Sequence, residues 1–115
     1  MVSLNRSNTA IDPPTILGAK VLENSDFLAF RDIDPKAPVH VLVIPKKHFE
    51  NIAELSKSDN VLTSGLMKFA TEVAEIEKLE KGFRIVLNTG QEGGQSVQHV
   101  HAHVLGGRSL TWPPG

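Results

Sequence analysis

Apolar residues fall along this chain in three spacings, and each predicts an element. VHVLVIP, residues 39–45, is apolar at all but one position, the pattern of a strand covered on both faces. Upstream, AKVLENSDFLAFRD holds two short apolar runs around ENSD, a predicted hairpin. The proline-bearing DIDPKAP links hairpin to strand, and Pro45 ends the strand. FENIAEL is then a short connecting piece. From Ser58 to Lys81 the period changes: Leu62, Leu66, Phe69, Val73, Ile76 and Leu79 recur every three or four residues as one helical stripe. Ser58 suits the N-cap and Gly82 the stop, with Lys78 and Lys81 in the last turn. Gly65 costs this helix about 1 kcal/mol relative to alanine, which the stripe outweighs. FRIVLN reads as a strand and TGQEGGQS as a loop. Strict alternation then predicts a last strand from about Val97 to Leu105. The tail GRSLTWPPG fits neither a helix nor a central strand. The order ββ-β-α-β-β with short connections predicts an antiparallel sheet of four or five strands with one long helix across it, an α+β domain.

Length and composition narrow the class. The 115 residues suit one domain: residues 1–15, polar and carrying Pro13 and Pro14, read as a flexible lead-in, and 16–115 as the single domain. Twelve basic against thirteen acidic residues argue against a protein that grips nucleic acid through a broad basic surface. With no cysteine, disulfides and thiolate metal sites are excluded. No apolar run approaches the ~18 residues of a membrane span, and MVSLNRSNTAIDPPT lacks the apolar stretch of a signal peptide. These features predict a soluble protein with no membrane partner, cytoplasmic or, in a eukaryote, also nuclear.

The candidate chemistry lies in GGQSVQHVHAHVLGG, where His99, His101 and His103 alternate. On a regular strand they share one face, and Val100, Ala102 and Val104 take the other, under the helix. Three readings follow. A strand rise of ~3.4 Å puts His99 about 13 Å from His103, so three rings cannot close on one zinc, and a metal site would need another ligand such as His40. A row of polar residues facing water is the second reading, for which histidine is an odd choice. The third is a nucleophile with a helper on either side. Imidazole is nucleophilic and titrates near neutrality, and phosphorus suits its reversible attack. Three glycines in TGQEGGQS let backbone N–H groups turn toward a phosphate, and Ser96 adds a hydroxyl.

QHVHAHVLGG resembles the histidine triad signature. DIDPKAPVHVLVIPKKH, RIVLNTGQEGGQSVQHVHAHVLGGR and the closing WPPG resemble the histidine triad nucleotide-binding (Hint) branch, over roughly residues 19–115. The resemblance implies a five-stranded antiparallel sheet with one long and one short helix, and a homodimer whose sheets join into ten strands. It implies purine nucleoside monophosphate binding and hydrolysis of nucleoside phosphoramidates and aminoacyl adenylates, without a metal or other cofactor. His101 would attack the α-phosphorus to give a nucleotidyl-histidine. His99 would orient it from behind, His103 would hydrogen-bond the phosphate oxygens or the leaving group, and His40 would complete a buried relay. Asn88, Ser96 and backbone N–H groups near Gly94 and Gln95 would contact the phosphate. Asp32 would take the ribose hydroxyls, Phe30 and Ile33 would lie near the base, and Trp112 would reach the partner subunit's site.

On their own chemistry several of these have plainer readings: His40 as a core histidine, Asp32 as a turn former, Asn88 as a strand end, His48 with Lys46 and Lys47 as surface residues. The chain departs from the resemblance at its start, where TILGAK runs straight into the hairpin as if a short helix that helps enclose the base were missing. The alternatives are a metal-binding histidine protein, a dimeric nucleotide-binding scaffold with little turnover, and a dinucleoside polyphosphate hydrolase.

Overall fold

Asn24 starts the first hairpin by accepting the N–H groups of Asp26 and Phe27 on its Oδ1, an Asx turn. The computed structural model describes residues 18–115 and, before them, the backbone pairing of β1 (Leu4–Asn5) with β2 (Ala10–Ile11). The lead-in expected for residues 1–15 otherwise lies outside the described residues. Beyond that pair, β3 (Lys20–Glu23), β4 (Phe27–Arg31), β5 (Val39–Pro45), β6 (Phe83–Val86) and β7 (Ala102–Gly106) form one antiparallel sheet in the order β3-β4-β5-β7-β6. Two helices, α1 (Ile52–Ser58) and α2 (Asn60–Ile76), separate β5 from β6. The five-stranded α+β architecture predicted is the one observed. Among the described residues no helix is long and apolar enough to cross a membrane.

The pleat sorts side chains into a core face and an open face. Phe27 and Ala29 of β4, Val41 and Val43 of β5, and Ala102 and Val104 of β7 meet Leu66, Phe69 and Val73 of α2 in one buried cluster. The Phe27 and Phe69 rings lie 5.4 Å apart at its centre. Opposite-facing residues form a cross-strand row, Phe30–Leu42–His103–Val86, with His40 and Leu105 paired beside it. The central strands therefore carry the chemistry on the side away from α2.

Two boundaries differ from the sequence expectation. The helix predicted from Ser58 to Lys81 is two helices: Ser58 ends α1, and Asp59 caps α2 by accepting the Leu62 N–H. Helix α2 also stops five residues early. Lys78 adopts φ 58°, Leu79 N–H reaches back to Ala74 O, and Lys78 N–H to Glu75 O. That is a Schellman end, with a lysine where glycine is the usual choice. It frees Leu79 from the helical stripe to pack over Gly106, where an added Cβ would sit 2.8 Å from the leucine methyls.

The histidine strand is shorter too. Expected from Val97, it begins at Ala102, because its partner β5 ends in Pro45, which has no N–H to extend the ladder. Residues 97–101 leave the sheet, and Val100 N–H bonds instead to Phe49 O at 2.7 Å. Val100, Ala102 and Val104 remain in the core. His99 and His101, however, do not belong to the strand that carries His103.

Candidate active site

Strand β5 places His40 and β7 places His103 as diagonal neighbours on the open face. His40 Nε2 lies 2.9 Å from His103 Nδ1. On its other side, His40 Nδ1 accepts the Lys36 backbone N–H at 3.0 Å. The ladder continues one step past β4, with Asp32 N–H donating to His40 O, and sets the Asp32 carboxylate 3.4 Å from His40 Nε2. Burial pushes the pKa of His40 down, against the pull of Asp32. His103 is pushed down to about 4, chiefly by burial and then by His101 and His40 nearby. Both rings are neutral at neutral pH.

His99 faces the other way. Only 2% exposed, it bonds through Nε2 to Pro45 O at 2.8 Å. A carbonyl only accepts, so Nε2 carries the hydrogen. His99 Nδ1 meets His48 Nδ1 at 2.9 Å, with the two rings stacked at 5.1 Å between centroids. His101 uses its Nδ1 to reach the backbone carbonyl of His99 at 2.8 Å. Here again the carbonyl dictates an Nδ1–H tautomer, leaving the lone pair on Nε2. His101 and His103 stand edge to face, 5.0 Å apart. The expected row of three rings on one strand face is thus a buried anchor, a nucleophile-ready imidazole and a third ring tied to His40. His99 orients His101 through its main chain rather than through its imidazole.

The glycine loop is held from inside by Gln95, whose side chain is buried. Its Oε1 accepts Gly90 N–H, and its Nε2 donates to Glu50 O and Val97 O. The backbone N–H groups of Gly94 and Gln95, assigned above to phosphate, are spent on Gln91 O and Gly90 O. Gly94 at φ 79° makes that turn possible. Ser96 is exposed at its end.

Asp32, His40, Asn88 and His103 line one cavity of about 370 Å³, together with Asp34, Lys36, Val86 and Leu105, within the ~300–1,000 Å³ range of small-molecule sites. His101 adjoins it through His103. Phe30 is buried in the same cross-strand row, and Ile33 is 67% exposed beside Asp32. Trp112 is not brought to this cavity: it is 79% exposed and borders a separate hollow with residues 81–84. Arg84 fixes the tail there by donating to Leu110 O and Thr111 O. Sequence reasoning missed His48, read as a surface residue, and the Lys36 amide. Neither has a periodic signal, since both lie in irregular segments, Lys36 acting through its main chain and His48 on a ring distant in sequence.

The only metal-type grouping among the described residues is Asp32, His40 and His103, whose ligand atoms lie within 4.8 Å of one another. A cation there would need the lone pair of His40 Nε2. With Lys36 N–H bonded to Nδ1, that nitrogen must carry the hydrogen, and only an imidazolate could serve both. The local main chain therefore works against metal binding.

Comparisons with known proteins place the chain in a family. An uncharacterised HIT-like protein of Synechococcus elongatus is 50% identical over 95 residues, covering 83% of each chain. The crystal structure of a HIT family hydrolase from Legionella pneumophila superimposes with a TM-score of 0.82 at 46% identity, over 87% of this chain and 90% of that one. A histidine triad nucleotide-binding protein of Candida albicans gives 0.70 at 28% identity, over 85% of this chain and 76% of that one. The sequence profile of the HIT domain matches residues 14–110, and with these likenesses it establishes that the chain belongs to the HIT domain family.

Proposed function

We propose that this protein is a nucleotide-binding hydrolase of the Hint type that cleaves the P–N bond of purine nucleoside phosphoramidates, adenosine 5′-phosphoramidate among them, and the acyl-phosphate P–O bond of aminoacyl adenylates. One observation carries the reading: His101 is held by a carbonyl at Nδ1, so its Nε2 lone pair is available beside a cavity lined by neutral imidazoles. That is an activated nucleophile made without a separate base. Attack of Nε2 on the α-phosphorus expels the amine and forms a nucleotidyl-histidine. Its Nδ1–H stays on the His99 carbonyl, which stabilises the positive ring. Water then releases the nucleoside monophosphate.

In this account Asn88 and Ser96 bind the phosphoryl oxygens, and Gly94 and Gln95 hold the loop that presents them. Asp32 binds the ribose hydroxyls, with Phe30 and Ile33 toward the base. His40 and His103 act on the phosphoryl group, and Trp112 belongs to the neighbouring subunit's site in a homodimer. The similarity to a hydrolase and to a nucleotide-binding protein supports both halves of the reading. Rapid quench of the protein with adenosine 5′-phosphoramidate tests it. An acid-labile nucleotidyl adduct on His101 within the first turnover is the expected result. Turnover by His101→Ala at the wild-type rate rejects the nucleophile.

A further inference from the structure

Residues 45–50, between β5 and α1, back the segment that carries the nucleophile, and they are themselves held along their length. Lys46 N–H donates to Asp26 O at 2.7 Å, the Phe49 side chain is buried in the core, and Glu50 N–H reaches Glu54 Oε1 in the cap of α1. From this fixed stretch, bonds run to residues 95–100. Pro45 O takes His99 Nε2–H, Phe49 O takes Val100 N–H, and Glu50 O takes the Gln95 side-chain amide. The His48 ring meets the His99 ring at 2.9 Å between their Nδ1 atoms. The first three contacts use main-chain carbonyls of the stretch; the fourth uses a side chain, and so depends on which residue stands at 48.

The direction of that fourth bond follows from the first. His99 Nε2 faces a carbonyl and carries the hydrogen, so the neutral ring offers a lone pair at Nδ1. His48 then carries a hydrogen on its own Nδ1 and donates it. His99 is pinned at both ring nitrogens, which fixes the ring and the Cα from which it hangs. The peptide that follows is pinned too: its N–H, on Val100, donates to Phe49 O, and its C=O, on His99, accepts Nδ1–H of His101. An amide whose N–H is bonded accepts more strongly at its oxygen. The nucleophile takes its orientation from this one peptide, and the peptide takes its own from residues 45–50.

Resting on the phosphoramidase reading, we propose that His48 is a positioning residue for the nucleophile: its Nδ1–H holds the His99 ring, and through the His99–Val100 peptide it aims His101 Nε2 at the α-phosphorus. His48 stands outside the residues that line the cavity, so it acts on His101 and not on the nucleotide. With the donor gone, the His99 ring loses the bond that sets its plane, and the carbonyl that orients His101 loses its support. A reacting atom displaced in this way costs rate, while the nucleotide keeps the groups that bind it in the ground state. The requirement is for a donor at one corner of the ring, which bulk packing would not impose.

Two amide variants separate the corners of that ring. The side-chain amide of asparagine stands near the ring Nδ1 position and that of glutamine near Nε2, so His48→Asn keeps the donor to His99 and His48→Gln displaces it. Single-turnover rates on saturating adenosine 5′-phosphoramidate are measured beside the affinity of each protein for adenosine 5′-monophosphate. His48→Gln is expected to lose about 10²-fold in rate, as for a misplaced reacting group, with its nucleotide affinity kept. His48→Asn should turn over roughly tenfold faster than His48→Gln. Nitrogen-15 NMR of histidine-labelled protein near neutral pH should show His48 and His101 as Nδ1–H tautomers in the wild type, and His101 as a mixture in His48→Gln. Equal rates in the two variants, a rate loss matched by an equal loss of affinity, or an Nε2–H tautomer of wild-type His48 overturns the proposal. The wild-type spectrum decides even where a variant does not fold. Wild-type protein that cleaves no phosphoramidate sinks the hydrolase reading instead, and the tautomers of His48 and His101 still decide whether the one holds the other.

Discussion

Three of the imidazoles around the site owe their tautomers to main-chain groups: Lys36 N–H for His40, Pro45 O for His99 and His99 O for His101. This explains why side-chain identity alone singled out the histidines but not the hydrogen-bond partner that orients each ring. It also gives the site a pH signature. His103 has a folded pKa of about 4 against an ordinary 6.5, and His40 is shifted in the same direction. Between those values the unfolded chain binds protons that the folded chain refuses, so stability is full above about pH 6.5 and falls as pH drops toward 4. Urea midpoints at pH 7.5 and pH 5 should show this loss in the wild type and a smaller one in His103→Gln; equal losses would contradict it. Because Lys36 N–H opposes a cation at His40, prolonged dialysis against EDTA should leave turnover intact, and loss restored by zinc would contradict the tautomer assignment.

At the scale of elements, the succession of strands, the hairpin and the helical stripe were legible because burial imposes a period on them. Strand β5 was legible to the residue, since its apolar run and terminal proline both mark its ends. What escaped were the places where a local hydrogen bond overrides the period. The stripe through Leu79 is real as packing except at Ile76, and it is not one helix, because Lys78 takes the left-handed turn and Leu79 reaches the core from outside α2. Likewise His99 and His101 keep the spacing of a strand while lying beyond its last ladder bond. Two substitutions test this reading of the ends. Lys78 is exposed at φ 58°, so Lys78→Gly should stabilise the protein by about 1 kcal/mol by removing the cost of a left-handed Cβ. Asp59→Ala, which deprives Leu62 N–H of its cap, should destabilise it by about 1 kcal/mol. Thermal or denaturant unfolding reads both, and the opposite sign for either would mean the helix end is not built as described.

At the scale of the whole molecule, the sheet has two edges of different character. Strand β3 shows a register irregularity at Lys20 and Leu22 and carries the Lys20–Glu23 and Lys46–Glu23 ion pairs, charged features that discourage pairing with another strand. Strand β6 is the other edge. It starts at Phe83, 42% exposed, just after the turn that leaves Ile76 48% exposed at the end of α2. Apolar exposure next to a sheet edge whose one charged residue, Arg84, is tied to the tail carbonyls favours association there, and that is the side on which the proposed homodimer would form its continuous sheet. Replacing both residues, Ile76→Glu with Phe83→Glu, would place like charges from two copies against each other and remove the apolar surface. The wild type is then expected to sediment as a dimer and the double variant as a monomer with an unchanged circular dichroism spectrum. If the tail bearing Trp112 completes the neighbouring subunit's site, the monomer should also bind nucleoside monophosphate more weakly although His101, His103 and His40 are untouched. A double variant that remains dimeric would place the interface elsewhere, and a monomer binding as tightly as the dimer would show each site to be complete within one chain.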